Sequence, residues 1–413
     1  QDQSLDLDRV VLVVPGGRAG RRLLELLAEL AEQQSLLFFP PQIRTVGLLP
    51  ELLYESKRPF ANDLTQRMAW IKALQSANRA QCQQFIPTLP GDEDLTAWLE
   101  LGALLSQQHR ELAADALAKN VAVETLSNGS RLIDCGVNVP GGLDAGIAFA
   151  EIGMGGLGNV VLTHVTLDGW WLPGLIVSTD RPAVSCMAAQ YAGWAVSVGD
   201  YFAMGSGPAR SKVLAETALF DELDYQCPSS SAIICLETNT LPTAEIADHI
   251  AEKAGVEPEN LTLLVAPTAC LVGSVQVVAR VVETGMHKLH ELGFDLHKVV
   301  SGVGTCPLPP IAKSDIRAIG RTNDAILYGG QVYYTVDAED EELEELIPKV
   351  PASTSSDYGA PFYDTFKGYD YDFYKIDPLL FSPAEIFVNN VKSGRTFHAG
   401  EINVEVLKKS FLE

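Results

Sequence analysis

SAIICLETNTLPTAEIADHIAEKAGVEPENLTLLVAP (231–267) holds three elements in a row. SAIICLE (231–237) is a short apolar run rich in Ile, bounded by turn residues, and predicts a strand. EIADHIAEKAG (245–255) carries apolar residues at helical spacing and closes on Gly255, which predicts a helix. LTLLVAP (261–267) is a second strand, and the order strand, helix, strand argues for an α/β fold. From Thr268, a good N-cap after Pro267, the pattern predicts one long helix ending at Gly293. At 100° per residue Val275, Val278, Val282, Met286 and Leu289 form its apolar stripe. Gln276, Arg280, Glu283, Thr284 and His287 fall on the opposite side, where Arg280 and Glu283 read as a solvated i,i+3 pair of opposite charge.

The chain of 413 residues is 47% hydrophobic and long enough for two or three domains. Its longest apolar runs, such as VVLVV (10–14), are far below the roughly 18 to 20 residues that a membrane span needs, and no secretory signal pattern opens it. A cytoplasmic protein is expected, with no membrane partner. The formal charge of −23 disfavours a nucleic-acid partner, since backbone binding depends on clustered Lys and Arg. Much of the acidity lies in VDAEDEELEELIPK (336–349), a charged helix or loop. Seven scattered cysteines without a CxxC pair favour reduced, buried thiols over disulfides or a zinc cage.

The character of the sequence changes near 111–127. Before it come helical patterns at 21–33, 64–77 and 95–118; after it the chain is dense in Gly and Val with short strands. VVLVVPGGRAGRRLLELL has the strand, glycine turn and helix order of a phosphate-binding loop but lacks the GK[ST] ending, so a plain strand-to-helix connection is expected. Together with PPQIRTVGLLPELLYESKRPFANDLTQRMAWIKAL, this stretch resembles in part the N-terminal region of helicase/nuclease-related repair proteins. Residues 1–115 are read as an appended or truncated segment.

Beyond residue 120 several stretches offer polar groups. The histidines of HKLHELGFDLH, His287, His290 and His297, are not on HExxH spacing and no nearby residues complete a ligand set, so no metal site is expected. YFAMGSGPAR (201–210) reads as a strand end and a structural glycine turn, the alternative being that its free amides and Arg210 cradle an anion. SGVGTCPLPPIAKSDIRAIGRTNDAILYGG (301–330) is too rich in Gly and Pro for one regular element and reads as a long loop offering Arg321, Asn323 and Asp324. The aromatics of SSDYGAPFYDTFKGYDYDFYKIDP (355–378) read first as a packing cluster. No Ser-His-Asp order, GxSxG elbow or complete dinucleotide fingerprint occurs.

Several long strings, however, resemble the methenyltetrahydromethanopterin cyclohydrolase family: NGSRLIDCGVNVPGG (128–142), EIGMGGLG (151–158), TDRPAVSCMAAQYAGW (179–194), YFAMGSGPAR (201–210), APTACLVGSVQVVARVVET (266–284), SGVGTCPLPPI (301–311), GRTNDAILYGG (320–330) and DYDFYKIDPLLFSPAEI (370–386). The likeness runs from about 120 to the C-terminus. It implies a two-domain α/β subunit with the pterin in an interdomain cleft, here preceded by a mostly helical N-terminal segment where the family has a short lead-in. It also implies a cytoplasmic homotrimer, reversible hydrolysis of the 5,10-methenyl cation to the N5-formyl form in one-carbon metabolism, and no metal or redox cofactor. The arginine and glutamate of the SVQxxxRxVET helix, Arg280 and Glu283, are the implied catalytic pair, with Glu283 as base. Ser206, Gln190 and Asn323 are the implied substrate-binding residues. The competing reading is a repair-associated interaction protein with an inactive cyclohydrolase-like domain.

Overall fold

The described strands sort into two two-stranded and two six-stranded sheets. The structure, a computed structural model, describes residues 119–227 and 229–412 together with short segments among the first 45. It divides into two compact units, the second of which carries every described residue from Lys119 onward. In the first unit β1 (Ser4–Asp6) pairs in parallel with β3 (Leu37–Phe39), and β2 (Val11–Val14) with β4 (Gln42–Thr45). The glycine turn after VVLVV, the helical patterns at 64–77 and 95–118 and most of that at 21–33 lie outside the described residues.

The second unit holds two six-stranded mixed sheets. The first has the order β5 (Ala122–Thr125), β6 (Arg131–Asp134), β12 (Leu261–Ala266), β11 (Ala232–Glu237), β10 (Tyr201–Ser206) and β9 (Trp194–Val198). Its middle strands β6, β12 and β11 run parallel, as the helix-linked repeat at 231–267 requires. The linking helix, Ala244–Ala254, closes on Gly255 in the left-handed conformation, within one residue of the sequence reading. The second sheet has the order β16 (Thr396–Gly400), β15 (Glu385–Asn390), β14 (Gln331–Val336), β13 (Val299–Pro307), β8 (Trp170–Thr179) and β7 (Gly158–Leu167). Only its β14 and β15 are parallel; the other pairs are antiparallel.

The helices are α1 (Leu143–Gly153), α2 (Arg210–Val213), α3 (Thr217–Leu223), α4 (Ala244–Ala254), α5 (Leu271–Val278), α6 (Val281–Glu291), α7 (Asp315–Gly329), α8 (Asp340–Leu346), α9 (Phe362–Gly368) and α10 (Val404–Leu412). An eight-residue π-helix, Ala183–Gln190, comes after β8. The single helix expected over 268–293 is therefore two helices. Ala279 and Arg280 have ψ near zero (−5° and 4°), and the Arg280 amide turns back to the Val277 carbonyl at 3.0 Å. That tighter turn interrupts the α-helical ladder. The N-cap is Cys270, whose Sγ accepts from the Gly273 amide, and not Thr268.

The expected loop at 301–330 is also corrected, since it contains most of β13 and all of α7. Its glycines are there for packing: a Cβ on Gly304 would lie 2.7 Å from a methyl of Val281, so their absence lets α6 settle on the strand. The acidic run is in part the helix α8, with Asp340, Glu341 and Glu342 in its first turn where the helix dipole favours them. Phe362, Phe366, Phe373 and Phe381 pack ring on ring, the packing cluster expected for that stretch. Cys135, Cys186, Cys235 and Cys306 are buried free thiols, Cys227 and Cys270 are half-buried, and Cys82 lies outside the described residues. No helix among the described residues is long and apolar enough to cross a membrane.

Candidate active site

The polar side of α5 and α6 does not face water. Gln276 and Glu283 are 4% and 5% exposed, because the π-helix and β10 cover the side that the helical wheel left open. The reading of Arg280 and Glu283 as a solvated ion pair is thus overturned. Arg280 donates instead to three groups from three elements: the Gln190 carbonyl, the Ser206 hydroxyl at 3.2 Å and the Gln276 Oε1 at 3.1 Å. Each partner accepts along a different direction, which fits the planar fork of a guanidinium.

The π-helix supplies the first of these. With i→i−5 bonding, as between the Tyr191 amide and the Cys186 carbonyl at 2.8 Å, its last turn is wider than an α-turn. The Met187 carbonyl accepts from Arg210 at 2.9 Å, and the Gln190 carbonyl from Arg280. The Gln190 side chain, 2% exposed, donates to the Ala279 carbonyl at 3.2 Å and so holds the break between α5 and α6. Its Oε1 is buried without a hydrogen-bond partner among the described residues. Ser206 ends β10, and Gly207 comes next with φ +95°, a conformation few other residues tolerate.

Glu283 lies in the first turn of α6, and its carboxylate makes no hydrogen bond to the described residues. Burial pushes its pKa up to about 7, against the opposing pull of the Arg280 and Arg210 charges. A carboxylate in this state is half ionised near neutrality, which suits a proton acceptor.

Arg210 is fully buried and donates to Glu216 at 2.8 Å, with its guanidinium 5.1 Å from the centre of the Tyr191 ring. It is therefore committed internally, which fits the structural turn and not the alternative of an anion cradle. Tyr191 in turn stacks on His287 at 5.5 Å. Burial and the Glu283 charge push the Tyr191 hydroxyl up to about 12. His290 and His297 are engaged with Glu222, through its carboxylate and its carbonyl.

Of the residues singled out from sequence, Arg280, Ser206 and Gln190 are brought into direct contact, and Glu283 lies within electrostatic reach of Arg280. Asn323 is half-buried on α7 and donates to the Ile319 carbonyl of its own helix at 2.9 Å. Two participants escaped notice. Gln276 was visible only as a polar-face residue. Glu237, at the C-terminal end of a parallel strand, accepts from Gln276 at 3.0 Å and from the Thr268 hydroxyl. A carboxylate closing an apolar strand at that end is the signal that marked it, since ligand sites of open α/β sheets gather there.

The cyclohydrolase (MCH) family model matches residues 104–411. The chain belongs to the cyclohydrolase family. Among its relatives, the methenyltetrahydromethanopterin cyclohydrolase of Methanococcoides burtonii is 47% identical over 296 residues, which is 71% of this chain and 92% of that protein. The protein of the same name from Methanospirillum hungatei is 48% identical over 292 residues, again 71% and 92%. That from Methanosphaerula palustris is 45% identical over 313 residues, 76% of this chain and 99% of its own length. Arg280 and the residues that hold it all lie in the part of the chain that matches the cyclohydrolase family.

Proposed function

We propose that this chain hydrolyses the 5,10-methenyl-tetrahydromethanopterin cation to the N5-formyl compound, reversibly, with Glu283 as general base and Arg280 as the orienting and polarising group. The names of its relatives supply the substrate. The observation that carries the residue assignment is the buried carboxylate of Glu283, without a hydrogen bond to the described residues and raised to about 7, beside a guanidinium fixed on three sides.

The amidinium carbon is already electrophilic, so the protein has to orient a water and take its proton. General-base catalysis of that step contributes roughly 10²- to 10⁴-fold. The water oxygen bonds to the carbon while Glu283 takes the proton. The C–N bond to the departing nitrogen then breaks as the proton held on Glu283 passes to that nitrogen, and the remaining hydroxyl proton returns to Glu283 and is released to solvent as the formyl C=O forms, so the cation and water give the neutral formyl compound and one proton. The ionised carboxylate also attracts the cationic substrate, and Arg280 polarises the formyl oxygen as it forms. Ser206 and Gln190, both on Arg280, are assigned to the pterin, which would lie in a cleft between the two sheets. Asn323 is assigned to the same role on the resemblance alone.

Loss of the methenyl absorbance with purified chain tests the activity, with and without residues 1–115. Glu283→Gln should fold and lose most turnover. Retention on DNA at moderate salt together with no turnover would favour the repair-associated reading instead. The cytoplasmic homotrimer belongs to the same proposal; exposed Val161, Trp171, Val303 and Tyr333 on the second sheet offer apolar surface for such contacts. A monomeric mass by light scattering would overturn it.

A further inference from the structure

We propose that Gln276 and Glu237 are positioning residues, a two-member relay that aims the guanidinium of Arg280 without neutralising it. This rests on the reading of Arg280 as the orienting and polarising group.

The orientation of the Gln276 amide is dictated by its neighbours. A carboxylate only accepts and a guanidinium only donates, so the amide must turn its NH₂ to Glu237 and its oxygen to Arg280. The distances agree, 3.0 Å from Nε2 to Glu237 Oε2 and 3.1 Å from Arg280 Nη2 to Gln276 Oε1. Glu237 is held in turn by the Thr268 hydroxyl on its other oxygen. Thr268 lies just past the parallel strand β12 and Glu237 ends the neighbouring parallel strand β11, so the relay is anchored on the sheet.

The arrangement has a chemical purpose. A carboxylate placed directly on Arg280 would offset its charge and compete with Glu283 for it. With a neutral amide between them, the anionic group fixes geometry at one remove, and the positive charge stays available to Glu283 and to the oxygen that forms. Position also matters at the helix break. Gln276 and Arg280 are four residues apart but belong to different helical segments, so their bond spans Ala279 and supports the turn that carries Arg280.

The test uses Gln276→Leu and Glu237→Ala in the full chain, alongside Arg280→Lys and Glu283→Gln, with kcat and KM for the methenyl substrate. Either relay variant should lower kcat by about tenfold or more with KM little changed, the expected result of a misaimed group. Glu237→Gln, whose carbonyl still accepts from Gln276, should restore kcat to within about threefold of wild type. If Gln276→Leu does not fold, Glu237→Ala, at a half-buried strand end, decides alone. Wild-type kcat in the relay variants, or a loss confined to KM, overturns the relay while Glu283→Gln and Arg280→Lys remain strongly impaired. Wild-type kcat in all four variants overturns the reading of the site itself.

Discussion

Arg280 places its Nη2 3.2 Å from the hydroxyl of Ser206, 74 positions away in the chain, yet makes no hydrogen bond to Glu283 three residues on. The pair is linked by charge and not by contact, so the carboxylate is left free to meet a water. Arg280→Lys keeps the charge but loses the fork that holds three acceptors. Turnover should fall by about 10²-fold through misplacement, with a far-UV spectrum like that of wild type.

Glu283 gives the pH profile its sign. As a base it works when ionised, so turnover should rise as pH passes upward through about 7 and level off above it. A profile flat from pH 5.5 to 8.5 would remove Glu283 from the role of base.

The same shift predicts a conflict between activity and stability. The folded pKa of Glu283 is raised above its ordinary 4.5, so folding favours the protonated form, and stability is lost as pH rises from the unfolded value through about 7. The full loss is on the order of 3 kcal/mol. Glu283→Gln should therefore melt higher than wild type at pH 8 and close to it at pH 4.5, while being inactive at both.

Asp324 offers the control. It is 1% exposed on α7, accepts from the Phe362 amide at 2.7 Å, and burial raises it to about 7. Asn at this position keeps the acceptor and removes the charge. Asp324→Asn should raise the melting temperature at pH 8 more than at pH 5, with turnover unchanged.

Gly285 tests the seating of α6. A Cβ there would collide with the Tyr334 hydroxyl, which donates to the Val282 carbonyl at 2.6 Å. Gly285→Ala should break that bond and push the helix off its strand, lowering stability by roughly 1 to 3 kcal/mol in urea titration.

Strands β11 and β12 and their linking helix were legible because 231–267 combines clear period, a glycine stop and short turns. The motifs quoted for 266–284 single out Arg280 and Glu283 by resemblance, and the structure buries Glu283 and half-buries Arg280. Two misreadings have physical causes. A helical wheel presumes one straight helix, and neither the near-zero ψ at Ala279 and Arg280 nor the elements covering the polar side leave a mark in local sequence. The glycines of 301–304 read as loop residues by composition, whereas they make room for Val281 and Val282. Gln276 and Glu237 became partners only through packing, since 39 positions separate them.

The π-helix at Ala183–Gln190 makes the site sensitive to residue count. Removing one residue from a surface loop is usually absorbed, but here it would restore an ordinary α-turn and rotate the downstream residues by about 100°. The Met187 and Gln190 carbonyls hold Arg210 and Arg280, so both guanidiniums would lose an anchor in one step. Spacing within this segment is therefore a genetic constraint as strict as the identity of any side chain in the site, and a single-codon deletion there should inactivate as surely as loss of Glu283.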